Sequence, residues 1–190
     1  MVSAIGTKTQ NGHSGILKFL SKAFLYPDQT VLEQLEKQLQ SLRQNEFLKQ
    51  IQTHFEKEPL VELQAEYTRL FINGYPKTCC PPYESVYREG QIMGNANQAV
   101  SDTYRNWGFS VRPVLADHIA TELEFLAFLR TALEIPEISE TAGEEYTRFL
   151  ADHVNRWFPP FLADLKNGAA LEAYKLLADC LEDLLKESKT

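Results

Sequence analysis

Cysteine, glycine, proline and histidine are all scarce, and each shortage closes off a class of protein. Three cysteines in 190 residues, an odd number, do not make a disulfide framework and fit a reducing cytoplasm. Nine glycines and nine prolines fall below the usual ~12% combined share, which argues against a turn-rich β fold. None of the four histidines has a glutamate three residues before it, and HExxH is absent, so the helical metal signatures are missing. Basic residues are the minority, 19 against 26 acidic, for a net charge of −7. A phosphate-backbone binder needs the opposite balance, so no nucleic-acid partner is expected, whereas a basic peptide is attracted. No apolar run approaches the ~18 residues of a spanning helix, which predicts no stable membrane insertion. The first fifteen residues, MVSAIGTKTQNGHSG, lack the apolar core of a secretory signal. The chain has no Arg-Arg pair, and hence no twin-arginine export signal of its own is expected. The P-loop, the dinucleotide GxGxxG and the hydrolase elbow GxSxG are missing too. We therefore expect a protein that stays in the cytoplasm, and none of these motifs offers it a catalytic residue, a cofactor site or a metal site.

What the chain does have is helical spacing nearly everywhere. Ile16, Leu17, Leu20 and Phe24 recur at three- and four-residue steps until Pro27. Asp28 is placed to cap a helix whose stripe is Val31, Leu32, Leu35, Leu39 and Leu42. Phe47, Leu48, Ile51 and Phe55 mark a third helix, and Leu60 to Phe71 a fourth that stops near Gly74. Helical period returns with Ala99, Val100, Tyr104 and Trp107, ending at Gly108. Asp117 is read as opening a strongly apolar helix to Leu133. Another helix carries Tyr146 to Phe158 and ends at Pro159-Pro160; the last runs from about Ala169 to Lys186. No stretch alternates in the manner of a strand. The fold class is all-α: one domain over 1–190, a bundle of about eight helices, with 1–14 a disordered tail. Residues 73–93, holding Pro76, Pro81, Pro82, Gly74, Gly90 and the adjacent Cys79 and Cys80, form a long connecting loop between two helical halves. The cysteine pair lacks the C-x-x-C spacing of a zinc site and reads as two reduced thiols. A hinge of this kind allows a monomer or a homodimer that exchanges halves.

One polar constellation stands apart. On a helix, His118, Glu122, Phe125 and Leu129 share one line, and Asp117, Thr121, Glu124 and Phe128 a neighbouring one, with no Lys or Arg from Pro113 to Leu129. Two readings stay open at this point. Asp117 is a helix cap and His118–Glu122 a surface pair, or the edge is an anionic, partly apolar seat for a cationic peptide. Ile119, Leu123 and Leu126 point elsewhere and belong to the core.

Four segments in order carry a resemblance. They are Glu66-Tyr67-Thr68-Arg69-Leu70-Phe71 followed by Gly74; Pro81-Pro82-Tyr83-Glu84-Ser85-Val86-Tyr87; Asp117-His118-Ile119-Ala120-Thr121-Glu122-Leu123-Glu124-Phe125; and HVNRWFPPF from His153 to Phe161. Together they resemble the TorD/DmsD family of cytoplasmic chaperones for molybdenum-containing oxidoreductases. The resemblance implies a chaperone, not an enzyme, that binds the twin-arginine leader and body of an apo-oxidoreductase until its molybdopterin cofactor is inserted. Carried over by position, Asp117, His118 and the stretch Tyr83, Glu84, Ser85 and Tyr87 contribute to leader recognition. Glu122, Glu124 and Phe128 join them from the constellation above: an arginine pairs with carboxylate, and an apolar stretch needs aromatic surface. Ala116 stands where the family often has Pro. Tyr67 and Phe71 are expected in the core with Arg69 tethering the 73–93 loop, Trp157 and Phe158 are packing, and His153 hydrogen-bonds across to another helix. Tyr83 and Tyr87 either plug the loop onto the bundle or face the peptide. Two other functions compete: an assembly adaptor for a leaderless redox enzyme of the nitrate-reductase type, and a helical metal-dependent enzyme using His118, Glu122 and His153.

Overall fold

The computed structural model describes residues 10–42, 45–110 and 115–187, and no strand occurs among them. The helices are α1 (Gln10–Ala23), α2 (Gln29–Ser41), α3 (Glu46–Lys57), α4 (Leu60–Tyr67), α5 (Glu84–Glu89), α6 (Asn95–Asn106), α7 (Ile119–Ala132), α8 (Ser139–Phe149), α9 (Asn155–Gly168) and α10 (Glu172–Glu187). The chain divides into two compact units, one of residues 22–81 and 161–187, the other of 10–21 and 82–160.

In the first unit, Asp28 and Asn45 cap α2 and α3 as side-chain acceptors, at 2.7 Å from the Val31 amide and 3.1 Å from that of Leu48. The α2 stripe is only partly used: Leu35 is buried, whereas Val31, Leu32, Leu39 and Leu42 stay half-buried. Helix α10 packs on α3, and an aromatic cluster fills the interior, with Phe71 at 4.8 Å from Tyr67 and 5.7 Å from Tyr174. Tyr67 and Phe71 are core residues, as expected. Arg69 does not tether the loop. It forks onto Glu66 through two 2.8 Å bonds and donates to the Gly168 carbonyl, while Glu66 also accepts the Ala170 amide at 2.6 Å. Burial pushes the Glu66 carboxyl up, but the Arg69 guanidinium and the Ala170 amide together hold it below its ordinary value. The first family-like segment is thus a clamp on the chain between α9 and α10.

In the second unit, α7 is buried on nearly every side, which is why its apolar residues run all round rather than along one stripe. Ser21 donates to the Ala120 carbonyl at 2.7 Å, and α8 packs along α7. Phe125 is ringed by Tyr104, Phe149 and Phe109 at 4.6, 4.9 and 5.3 Å.

Four boundaries differ from expectation. Residues 10–14 are helical rather than part of a tail; residues 1–9 lie outside the described set. The 73–93 loop contains α5, a helix of six residues. A π-helical turn, Thr68–Ile72, extends α4, and another, Leu150–Val154, joins α8 to α9. Finally, α9 runs through Pro159-Pro160 to Gly168 instead of stopping there. The prolines withdraw two amides from the carbonyls of Asn155 and Arg156 in the first turn of α9. Both prolines and Arg156 are exposed, and a carbonyl on a solvent-facing turn can be satisfied by water in place of an amide.

Candidate functional site

The second and third family-like segments meet in the second unit. The Glu84 amide donates to the Asp117 carbonyl at 3.0 Å and the Ile119 amide to the Pro82 carbonyl at 2.9 Å, an isolated antiparallel bridge between Tyr83 and His118. The Asp117 side chain completes the joint. One oxygen accepts the Ser85 amide at 2.9 Å, capping α5 from outside, and the other accepts the Asn97 side-chain amide at 2.6 Å from α6. Asp117 therefore does not cap α7. His118 does, its Nδ1 accepting the Ala120 amide at 3.1 Å, with the Tyr83 ring edge-on to the imidazole at 5.2 Å. An acceptor Nδ1 requires the neutral ring, and burial holds the His118 pKa down to about 4.

Beneath this joint lies a buried carboxylate pair. Glu84, fully buried, faces His153 Nδ1 at 2.9 Å and accepts from Arg88, which also donates to the Asp152 carbonyl at 3.1 Å. Glu122, equally buried, accepts the Trp157 indole N–H at 3.0 Å. Burial, then the Glu84 carboxylate nearby, pushes the Glu122 carboxyl well above its ordinary value. The Tyr87 ring lies 5.7 Å from Trp157.

The expected carboxylate edge is therefore not a solvent-facing one. Asp117, His118, Glu122, Glu84 and Ser85 are all buried, because partners supplied from α5, α6 and α9 offset the desolvation that would otherwise keep carboxylates outside. Of the predicted site residues, Glu124 is exposed, and Tyr83, Tyr87 and Phe128 are half-buried. Phe128 packs on Phe109 and on Trp107, whose indole N–H reaches Glu145 at 3.1 Å. Beside the joint opens a cavity of about 420 Å³ lined by Asn97, Tyr104, Arg105, Phe109, Ser110 and Ala116. Sequence reasoning missed Asn97 and Arg88. Their only signal was a polar side chain on a helix near a family-like segment.

As for metal chemistry, His118 Nδ1 is engaged with a backbone amide, one Glu122 oxygen with Trp157 and His153 Nδ1 with Glu84. No group of three His, Cys, Asp or Glu is placed to hold a metal among the described residues. Nor is any helix among them long and apolar enough to cross a membrane.

The family model of the nitrate reductase delta subunit matches residues 28–163. The crystal structure of a putative redox enzyme maturation protein from Archaeoglobus fulgidus is similar over 93% of this chain and 94% of that one, at 26% identity and a TM-score of 0.68. No curated protein matches significantly. With a family model spanning well over half of its residues, an all-helical fold and the four segments in order, the chain belongs to the nitrate reductase delta subunit family, which takes in the TorD/DmsD-type maturation chaperones.

Proposed function

We propose that this chain is a non-catalytic cytoplasmic chaperone for a molybdopterin-dependent oxidoreductase. It binds the client's twin-arginine leader and apo body and holds both until the cofactor is inserted, before export. The observation that carries the reading is the joint between Pro82–Ser85 and Asp117–Ile119: two segments far apart in sequence share two backbone bonds and one buried carboxylate. In this reading the buried residues, Asp117, His118, Glu84, Ser85 and Glu122, are positioning residues, and the peptide meets what they hold at the surface. Tyr83, Tyr87 and Phe128 offer aromatic area to the apolar stretch, and Glu124 offers a carboxylate to a guanidinium. The net charge of −7 favours encounter with a cationic leader.

The family's description as a nitrate reductase subunit favours a second reading, an assembly adaptor for a redox enzyme that has no leader. One experiment separates them. The purified chain is mixed with an apo-oxidoreductase precursor and with the same precursor lacking its Arg-Arg leader. The first reading predicts capture of the leader-bearing form with at least ~10-fold preference, about 1.4 kcal/mol. Equal capture of both forms supports the adaptor.

A further inference from the structure

The first unit carries a chemistry that the site above does not use. Three thiols, Cys79, Cys80 and Cys180, are free. Cys80 is fully buried, with its amide bonded to the Leu70 carbonyl at 2.9 Å, and Cys180 is buried in α10. Burial pushes the Cys80 thiol far above its ordinary range and that of Cys180 up to about 12, so neither forms a thiolate at neutral pH. Cys79, whose side chain is hydrogen-bonded with that of Cys80, is only half-buried. It lines a cavity of about 460 Å³ with Arg69, Tyr75, Lys77, Asp164 and Gly168. Its sulfur lies 3.9 Å from the Asp164 carbonyl and directly over Gly168, where a Cβ would collide with it. A side chain at 168 would occupy the place of this thiol. The Arg69 guanidinium is close enough to Cys79 and Cys80 to feel the charge of a thiolate on either, and Lys77 and Tyr75 are exposed at the rim. Between Glu66 and Glu84 the chain has no acidic residue, while Asp164 lines the cavity and Glu66 pairs with Arg69.

We propose that Cys79 is a modification site that takes a mixed disulfide from an anionic low-molecular-weight disulfide, with the exposed Lys77 at the cavity rim as the cation that meets its carboxylates. The Cys79 thiolate attacks one sulfur of the reagent. A new S–S bond forms at Cys79 as the reagent's own S–S bond breaks, and the departing thiolate takes up the proton that Cys79 released. One disulfide replaces another, and the reagent is the oxidant. Cys80, protonated and shielded, does not displace the adduct, so the product stays a mixed disulfide rather than a ring between neighbouring sulfurs.

The test exposes the folded full chain at about pH 8 to oxidised glutathione or, as a cationic comparator, cystamine. Products are read by intact mass and peptide mapping. We expect one adduct, on Cys79, absent in Cys79→Ser. After normalisation to free cysteine, glutathione disulfide should react roughly threefold to tenfold faster than cystamine, and Lys77→Glu should erase that preference without moving the adduct. An adduct on Cys80 or Cys180, a loss of two hydrogens without an adduct, an unreactive folded chain, or a preference indifferent to Lys77→Glu would each overturn the assignment.

Discussion

Single residues in the second unit fix how stability responds to pH. His118 is neutral when folded, its pKa lowered to about 4 from 6.5. Its contribution is therefore complete above about pH 6.5 and is lost as pH falls toward 4, up to about 3 kcal/mol in total. His118→Asn keeps an acceptor at the cap and removes the titration; denaturant melts from pH 7 to 4 should show a smaller fall for the variant than for the parent. Glu122 works in the opposite direction. Its folded pKa is raised, so its contribution is present below the ordinary carboxylate range and is lost as pH climbs toward the folded value. Glu122→Gln retains an oxygen for the Trp157 indole, and its advantage over the parent should grow from pH 5 to 8. Asp117→Ala strands the buried Ser85 amide and frees the half-buried Asn97 side chain, and should cost about 2 kcal/mol, measured by urea unfolding. A site on the surface would have tolerated that change. Met93 is the one non-glycine in the left-handed region among the described residues, at φ 63, and is exposed. Met93→Gly should relieve about 1 kcal/mol of strain, less what the freer unfolded chain takes back, leaving a small gain in the urea midpoint.

At the scale of elements, helices with a sustained period were legible in sequence and those without one were not. The stripes of α3, α6 and α10 repeat every three or four residues because one face of each is buried. The cap at Asp28 and the stop at Gly108, φ 62, follow from local backbone chemistry. Helix α5 is too short to show a period and sits among Pro and Gly signals that read as loop. The π-helical turns insert one residue into a continuing stripe, which alters the phase without breaking the pattern. The path of α9 through Pro159-Pro160 was hidden for another reason: two prolines end a helix unless the orphaned carbonyls reach water, and exposure is not written in the dipeptide. The site was half legible. Its residue types and the bond from His153 to another helix could be read; the burial of Asp117 and Glu122 could not, because their partners lie 20 to 35 residues away.

At the scale of the whole molecule, the proposed function rests on charge balance and on the segments that the joint brings together. An excess of seven negative charges should make leader binding fall with added salt, since the Debye length shortens from ~10 Å at 0.1 M to ~3 Å at 1 M. The buried carboxylates of the second unit tie segments together, Asp117 to Ser85 and Asn97 and Glu122 to Trp157. The measurement that bears most directly on this account is a calorimetric titration of the chain with a synthetic leader peptide bearing Arg-Arg and its apolar stretch, repeated with Glu124→Lys and with a peptide whose two arginines are replaced by glutamine. The account predicts saturable one-to-one binding to the parent chain, weakened about tenfold or more by either change, with the variant's melting temperature unaltered. Equal heats for the Arg-Arg and glutamine peptides, or none for either, would contradict it.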